Sequence, residues 1–281
     1  MDLENIIPKT GPKISEVKKY IDKYNNEIIV IKCGGSVLLD SKLFNQFIED
    51  ISVINKLGLK IIVVHGGGKN IQKKLDENKI ESKFIDGLRI TDEKVIKIVE
   101  NSLNELNAEI VKKLNEKKCI AISINSKKNV IKVEKISNKL GYVGNPKEVD
   151  HNNIKKLLSN KKLPVIVPMG NCDDNKIYNI NADTAAGSIA KSLSSRRLLL
   201  MTDVEGVLDN NKKLIPQLNS NFAKKMIDEG IIQGGMIPKI NTCLDSLNNG
   251  VTGVAIVDGR KSHSILFELF SDKGAGTLIR K

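Results

Sequence analysis

Lys32, Gly34, Gly35, Gly67, Gly68, Arg89, Asn179, Asp183 and Lys239 all fall where an apolar run stops or a helical pattern begins. Two lysines, an arginine and backbone N–H groups left open by glycine make a site for a polyanion such as a phosphate chain. Plainer readings exist for each charged member. Lys32 can mark a solvated strand end, Asp183 can be a helix cap, and Lys239 can be a solvated lysine in a helix's first turn. The last reading is physically weak, because a cation there opposes the helix dipole unless an anion lies close.

The elements that must position these residues follow from the apolar pattern. Ile28 to Ser36 reads IIVIKCGGS, a short apolar run stopped by glycines. Such a run is a strand buried on both faces, as in a parallel sheet. Lys32 then stands at the carboxyl end, facing the crevice where open α/β sheets bind ligands. A helical pattern over 40–57 (Leu43, Phe44, Phe47, Ile48, Ile51, Ile54) leads to a second run, Lys60 to Val64. That run ends in His65-Gly66-Gly67-Gly68-Lys69 and a helix to about Glu77. Two strand–glycine–helix junctions in succession form a βαβ unit with both loops on one edge of the sheet. Neither loop matches GxxxxGK[ST] or GxGxxG.

Further along, Thr91 is expected to cap a long helix reaching about Leu114, with Asp92 and Glu93 in its first turn. Cys119 to Ile124 and Leu163 to Val167 read as core strands flanking a helix over 150–162. Val130, Ile131 and Val133, after Lys127, Lys128 and Asn129, read as a hairpin, and Gly141 to Gly144 as a short strand or turn. Asn179 to Asp183 opens a helix whose face is Ala185, Ala186, Ile189, Ala190 and Leu193. Arg197 to Met201 is a strand that turns through Thr202 to Val207. Helices follow over 219–229 and from Gly234, with Pro238 near the first position of the second, and Thr252 to Val257 is a strand. The tail, Ser264 to Phe270 with Gly276 to Ile279, is expected to complete a sheet edge. Ahead of everything, Ile14, Val17, Tyr20, Ile21, Tyr24 and Ile28 recur at helical spacing. This amphipathic helix can pack on its own domain or on another subunit.

Composition narrows the partners. A net charge of +12 and pI near 9.4 raise nucleic acid. The lysines are spread along the chain, however, and aromatics make up only 4%, so no basic stripe with stacking residues exists. Solvated helix faces explain the charge, and the wealth of Lys, Asn and Ile fits an AT-rich coding genome. No stretch is long and apolar enough for a bilayer, and the N-terminus has neither a signal core nor a transit-peptide composition. The cysteines form no CxxC pair and the histidines no metal spacing, so reduced thiols in a cytosol-like compartment are expected.

The motifs IKCGGS, VVHGGG, DGLRIT, NINAD, TDVEGV and GGMIPK stand in this order. As a set the chain resembles the acetylglutamate kinases of the amino-acid kinase family, from about Tyr20 to Ile279. The lysine–glycine and triple-glycine elements are common to several amino-acid kinases; GLRIT with NINAD and GGMIPK is more specific. The resemblance implies an α/β fold, a three-layer αβα sandwich around a mainly parallel open sheet, in two lobes. It also implies that residues 1–26 form an oligomerising N-terminal helix, 27–195 an acetylglutamate-binding and dimerising N-lobe, and 196–281 an ATP-binding C-lobe with an arginine-site tail.

The implied reaction is ATP-dependent phosphorylation of the γ-carboxylate of N-acetyl-L-glutamate, the second step of arginine biosynthesis, with Mg²⁺ held mostly by phosphates and water. Lys32, Asp183 and Lys239 carry the implied catalytic roles. Gly67, Gly68, Arg89 and Asn179 hold the acceptor, and Lys32, Gly34, Gly35, Thr202, Asp203, Gly206, Gly234, Gly235 and Lys239 hold ATP. The chemistry agrees: joining two anions needs positioning and charge neutralisation, and an ionised carboxylate needs no general base. His65, beside the triple glycine, is read as structural.

The stretch Lys19-Tyr20-Ile21 and the tail His263 to Glu268 with Gly274 to Thr277 resemble the arginine-inhibited, hexameric subgroup. That implies arginine as effector at Tyr20, His263, Glu268 and Gly276. Cyanobacterial and plastid members bind the signalling protein PII, which the resemblance makes a candidate partner of this chain. The AT-rich composition and the lack of a transit-peptide pattern suit a plastid stroma and a bacterial cytoplasm equally, and no nucleic acid or membrane partner is expected. One departure concerns the loop Cys33-Gly34-Gly35-Ser36-Val37, where many arginine-sensitive members carry an aromatic before the glycines and an alanine after. The rivals are a sibling kinase acting on aspartate, glutamate, carbamate or a nucleoside monophosphate, and a regulatory protein on the same fold. Retention of Lys32, Asp183 and Lys239 argues against the second.

Overall fold

The runs of Val, Ile and Leu become strands hidden on both faces, and the stripes of apolar residues between them become the helices that hide them. A computed structural model describes residues 2–281. In chain order, α1 (Ile14–Tyr24) leads into β1 (Ile28–Cys33), α2 (Ser41–Lys56), β2 (Lys60–His65) and α3 (Gly68–Glu77). A small hairpin, β3 (Phe84–Ile85) and β4 (Leu88–Arg89), precedes the long α4 (Glu93–Glu116) and β5 (Ala121–Ile124). Next come β6 (Ile131–Lys135), β7 (Gly144–Val149), α5 (His151–Ser159), β8 (Leu163–Ile166), β9 (Met169–Asn171) and β10 (Ile177–Asn179). The chain continues with α6 (Ala182–Ser192), β11 (Arg197–Thr202), β12 (Gln217–Asn219) and α7 (Ser220–Asp228). It closes with α8 (Met236–Asn248), β13 (Val254–Asp258), α9 (Ser264–Phe270) and β14 (Gly276–Arg280).

One eight-stranded sheet runs through the molecule in the order β12-β14-β13-β11-β1-β2-β8-β5. Every pair is parallel except β13 with β14. Tyr24, Phe47, Ile54, Ile110 and Leu269 pack one face, from α1, α2, α4 and α9. Ile154, Ala186, Ile189, Cys243 and Leu247 pack the other, from α5, α6 and α8. This is the three-layer αβα sandwich expected. A four-stranded sheet, β10-β9-β6-β7, stands beside it. The chain leaves β1 for β2 on one side and returns to its other side as β11. At such a reversal the loops at the carboxyl ends diverge and open a crevice.

Several local expectations are corrected. Asp92, not Thr91, caps α4, accepting from Lys94 N (2.9 Å) and Val95 N (2.8 Å); Thr91 is buried and turns its hydroxyl to Arg89 O. Ser264 to Phe270 is helical rather than a strand, and β14 lies inside the sheet because the short β12 takes the edge. The hairpin partner of β6 is β7, so its turn follows β6 and Lys127 and Lys128 belong to a short 3₁₀ turn ahead of it. Pro238 is the third residue of α8. The four cysteines are free. No helix among the described residues is long and apolar enough to cross a membrane.

Gly276 is where β14 closes on β13. A Cβ there would lie 1.9 Å from Ile256 O, a backbone atom that cannot step aside. Gly276→Ala is expected to cost about 3 kcal/mol, lowering Tm by roughly 5 °C in calorimetry.

Candidate active site

The crevice is built from the carboxyl ends of β1, β2 and β11. Lys32 is buried at the end of β1, and Gly35, at φ +67°, bends the chain behind it. A Cβ on Gly35 would meet Asp203 Oδ1 at 2.5 Å. Asp203, just past β11, accepts from Ser36 N at 3.0 Å and Ser36 Oγ at 2.6 Å, and Lys69 Nζ lies 3.3 Å away. One carboxylate therefore pins the first glycine loop and reaches the second. Burial pushes the Asp203 carboxyl upward, but the Ser36 and Lys69 contacts outweigh it and hold it below the ordinary carboxylate range. The loops also touch directly: Gly66 N donates to Cys33 O at 2.6 Å, and a Cβ on Gly66 would sit 3.5 Å from Gly34 Cα.

From the opposite side α6 and α8 supply the charges. Asn181 caps α6, accepting from Asp183 N (2.9 Å) and Thr184 N (3.2 Å). The Asp183 side chain is thereby freed from capping. Its Oδ1 lies 2.9 Å from Lys32 Nζ, an ion pair by distance, and its Oδ2 accepts a hydrogen bond from Lys239 Nζ at 2.5 Å. Burial alone would raise Asp183; Lys32 and then Lys239 overcome it and lower its pKa to about 2. The triad is a fixed array with one net positive charge.

Beside it opens a cavity of about 220 Å³, lined by Lys32, Gly34, Gly35, Gly67, Gly68, Arg89 and Asn179 among others. The four residues that the sequence assigned to an acceptor, Gly67, Gly68, Arg89 and Asn179, thus meet the first glycine loop in one space. The Arg89 guanidinium donates to Gln72 Oε1 (2.9 Å), Ser82 Oγ and Gly68 O (3.1 Å), and lies 4.7 Å from the Phe84 ring centroid. Each partner is neutral. Burial lowers the Arg89 pKa, and among the described residues no carboxylate pairs with it. A buried, unneutralised guanidinium on a cavity wall is suited to an incoming carboxylate.

Other sequence candidates do not line that cavity. Thr202 ends β11 near Asp203. Gly206, at φ +147°, is packed against Thr277 and Leu214, so its glycine meets a packing demand. Gly234 and Gly235 lie in the open turn before α8 with nothing close to their Cβ positions. Tyr20 and Glu268 line a second cavity, of about 150 Å³, with Lys23, Tyr24, Arg197 and Arg280. His263 does not line it. Its Nδ1 is 2.6 Å from Asp50 Oδ1 and its Nε2 3.1 Å from Thr10 Oγ1. Burial pushes Asp50 up to about 6, and the bond to Asp50 raises His263. Sequence reasoning missed Gln72, Ser82 and Phe84 around Arg89, and Lys69 and Ser36 around Asp203. Only Asn181 left a signal, an Asn directly before an apolar-periodic run.

The Amino acid kinase family model matches residues 27–258. The chain is 56% identical over 281 residues to the acetylglutamate kinase of Pelagibacter ubique, covering 100% of this chain and 98% of that protein. It is 45% identical over 273 residues to the acetylglutamate kinase of Caldanaerobacter subterraneus subsp. tengcongensis, covering 95% and 91%. Among solved structures, N-acetylglutamate synthase from Neisseria gonorrhoeae, complexed with coenzyme A and N-acetyl-glutamate, superposes with a TM-score of 0.86 at 22% identity. That match covers 95% of this chain but spans only 62% of the synthase's, and it is a likeness of fold. Identity above one half along the full length goes beyond a shared fold: the chain belongs to the amino acid kinase family, among its acetylglutamate kinases.

Proposed function

We propose that this chain transfers the γ-phosphoryl group of ATP to the γ-carboxylate of N-acetyl-L-glutamate, giving ADP and N-acetyl-L-glutamyl 5-phosphate in arginine biosynthesis. The observation that carries the reading is Arg89, a buried guanidinium with neutral partners only, on a cavity that ends at Lys32. Arg89 grips the α-carboxylate, Asn179 reads the acetamido group, and the γ-carboxylate lies toward the Gly67 and Gly68 N–H groups. Lys32 neutralises the transferring phosphoryl group, Lys239 the β/γ-phosphate side, and Asp183 holds both in register. No base is needed, since the nucleophile is already an anion. Residues 27–195 form the acceptor lobe and 196–281 the nucleotide lobe in this reading, with Gly34 and Gly35 on the phosphates and Gly234 and Gly235 near the nucleotide.

Among the described residues no group of three or more His, Cys, Asp or Glu gathers to hold a metal. The nearby carboxylates of Asp183 and Asp203 are engaged by lysines. Mg²⁺ therefore fits here as a companion of ATP, on phosphate oxygens and water, where it adds charge neutralisation. Hydroxylamine trapping of the acyl phosphate tests the reading, with N-acetylglutamate beside glutamate, aspartate and carbamate. Hydroxamate from N-acetylglutamate alone supports it; hydroxamate from another acceptor alone reassigns the chain to a sibling activity.

Arginine is the proposed effector, at the cavity of Tyr20 and Glu268. Glu268 is a buried carboxylate whose pKa burial raises, accepting from Ala275 N at 2.9 Å and surrounded by Lys23, Arg197 and Arg280. A zwitterion with a cationic side chain matches that mixture, its carboxylate toward the cations and its guanidinium toward Glu268. Glu268→Gln is expected to raise the arginine concentration for half-inhibition about tenfold without changing uninhibited kcat. An unchanged inhibition curve would remove Glu268 from the site. The finer partner proposals, a hexamer built through α1 and a PII-type protein bound to it, rest on the family resemblance, as does a cytoplasmic location. In the single chain α1 packs on its own domain, with Tyr24 edge-on to Phe270 at 6.4 Å.

A further inference from the structure

His65 closes β2 with no exposure to solvent and stands behind the second glycine loop. Its ring is caught between two fixed groups. Nδ1 lies 2.8 Å from Gly66 O, and Nε2 lies 3.1 Å from Asn107 Nδ2. The Asn107 amide cannot be turned over. Its Nδ2 also donates to Val165 O at 3.0 Å, and its Oδ1 accepts the Ser123 hydroxyl at 2.5 Å. Asn107 must therefore donate to Nε2, which leaves Nε2 without a proton and places the ring's proton on Nδ1, directed to Gly66 O. Burial agrees with a neutral ring, lowering the His65 pKa to about 4.

The consequence reaches the cavity. The Gly66–Gly67 peptide is trans and planar, so its carbonyl and its N–H point in opposite directions. Holding Gly66 O toward the core turns the Gly67 N–H away from it, and Gly67 lines the acceptor cavity. A peptide between two glycines is otherwise free to rotate, and in this one the carbonyl is clamped while the preceding N–H is tied to Cys33 O. We propose that His65 is a positioning residue: through Gly66 O it aims the Gly67 N–H at the oxyanion of the substrate, with Asn107 and Ser123 fixing the tautomer. The proposal rests on the reading that the glycine loop binds the reacting anions.

Two measurements test it. In the wild-type protein, ¹⁵N–¹H correlation of the His65 ring is expected to show a protonated Nδ1 and a bare Nε2 at pH 6 and pH 7.5. A protonated Nε2 at either pH, as the other tautomer or as imidazolium, would overturn the clamp whatever the activity. For the second, His65→Asn keeps an N–H donor near the Nδ1 position and His65→Leu removes it. The leucine variant is expected to lose about 30-fold in kcat, with the KM for ATP within threefold, whereas the asparagine variant retains kcat within about threefold. Equal losses in both variants that follow their thermal midpoints, or no loss in either, would reduce His65 to packing. Wild-type protein inactive on N-acetylglutamate would sink the catalytic reading and the clamp's role in it, while the tautomer result would stand by itself.

Discussion

Replacing Asp183 by asparagine is expected to lower kcat about 10³-fold while the KM for ATP changes by less than about threefold. Among the described residues Asp183 is the only anion in contact with both Lys32 and Lys239, at 2.9 and 2.5 Å. An amide cannot balance two buried ammonium groups, so they move apart, and the charge that must meet the phosphoryl group is no longer aligned with its path. The effect falls on the transition state because both lysines still attract a ground-state phosphate. Stability carries a second sign of the same contact. The Asp183 pKa is held down to about 2, so its charge contributes stability that is fully present above the ordinary aspartate range and is lost as pH falls through about 2. Acid unfolding of Asp183→Asn should lack that component between about pH 4 and pH 2. A variant with normal kcat, or with kcat lost only in proportion to unfolded protein, would mean that the lysines are positioned by something else.

The second large effect concerns the acceptor. Arg89→Lys is expected to raise the KM for N-acetylglutamate about 100-fold, with kcat and the KM for ATP within a few fold. Lysine keeps the charge but not the fork. The Arg89 guanidinium spans Gln72, Ser82 and Gly68 O while lying on Phe84, and a single ammonium on a flexible stem can match neither this set nor a bidentate carboxylate. Initial rates over a grid of both substrates separate the outcomes. A fall in kcat with unchanged acceptor KM would place Arg89 at the reacting phosphoryl group instead.

The parts of the fold that were legible in the sequence share one cause. Strands such as IIVIKC and KIIVVH are buried on both faces, so nearly every residue reports the same environment, and the glycines mark where each strand must release the chain to a loop. The site lies at those strand ends, so Lys32, Gly67 and Gly68 were visible with it. Illegible features depend on contacts distant in sequence or on signals that serve two structures. SILFELF is apolar almost throughout, which suits a strand, yet Ile265, Leu266, Leu269 and Phe270 also share a helix face and are buried in α9. Strand β12 spans only Gln217–Asn219, too short for any period. Gly206 looks like a phosphate-loop glycine, but its positive φ and the Thr277 contact require it for packing. Gln72 and Ser82 meet Arg89 from different elements, and no local pattern announces that meeting. His65 beside its glycines was visible, while the Asn107–Ser123 chain that sets its proton was not.

Attack by a carboxylate leaves an isotopic mark. N-acetyl-L-glutamate carrying ¹⁸O in the side-chain carboxylate is incubated with the enzyme and ATP, and hydroxylamine then cleaves the acyl phosphate at its carbonyl carbon. Mass spectrometry of the released phosphate should find one acceptor oxygen in each phosphate, with hydroxamate in equal amount. Unlabelled phosphate released without hydroxamate would mean that water, not the acceptor carboxylate, attacks the γ-phosphorus, and would contradict the assignment of Lys32, Asp183 and Lys239 to phosphoryl transfer onto this acceptor.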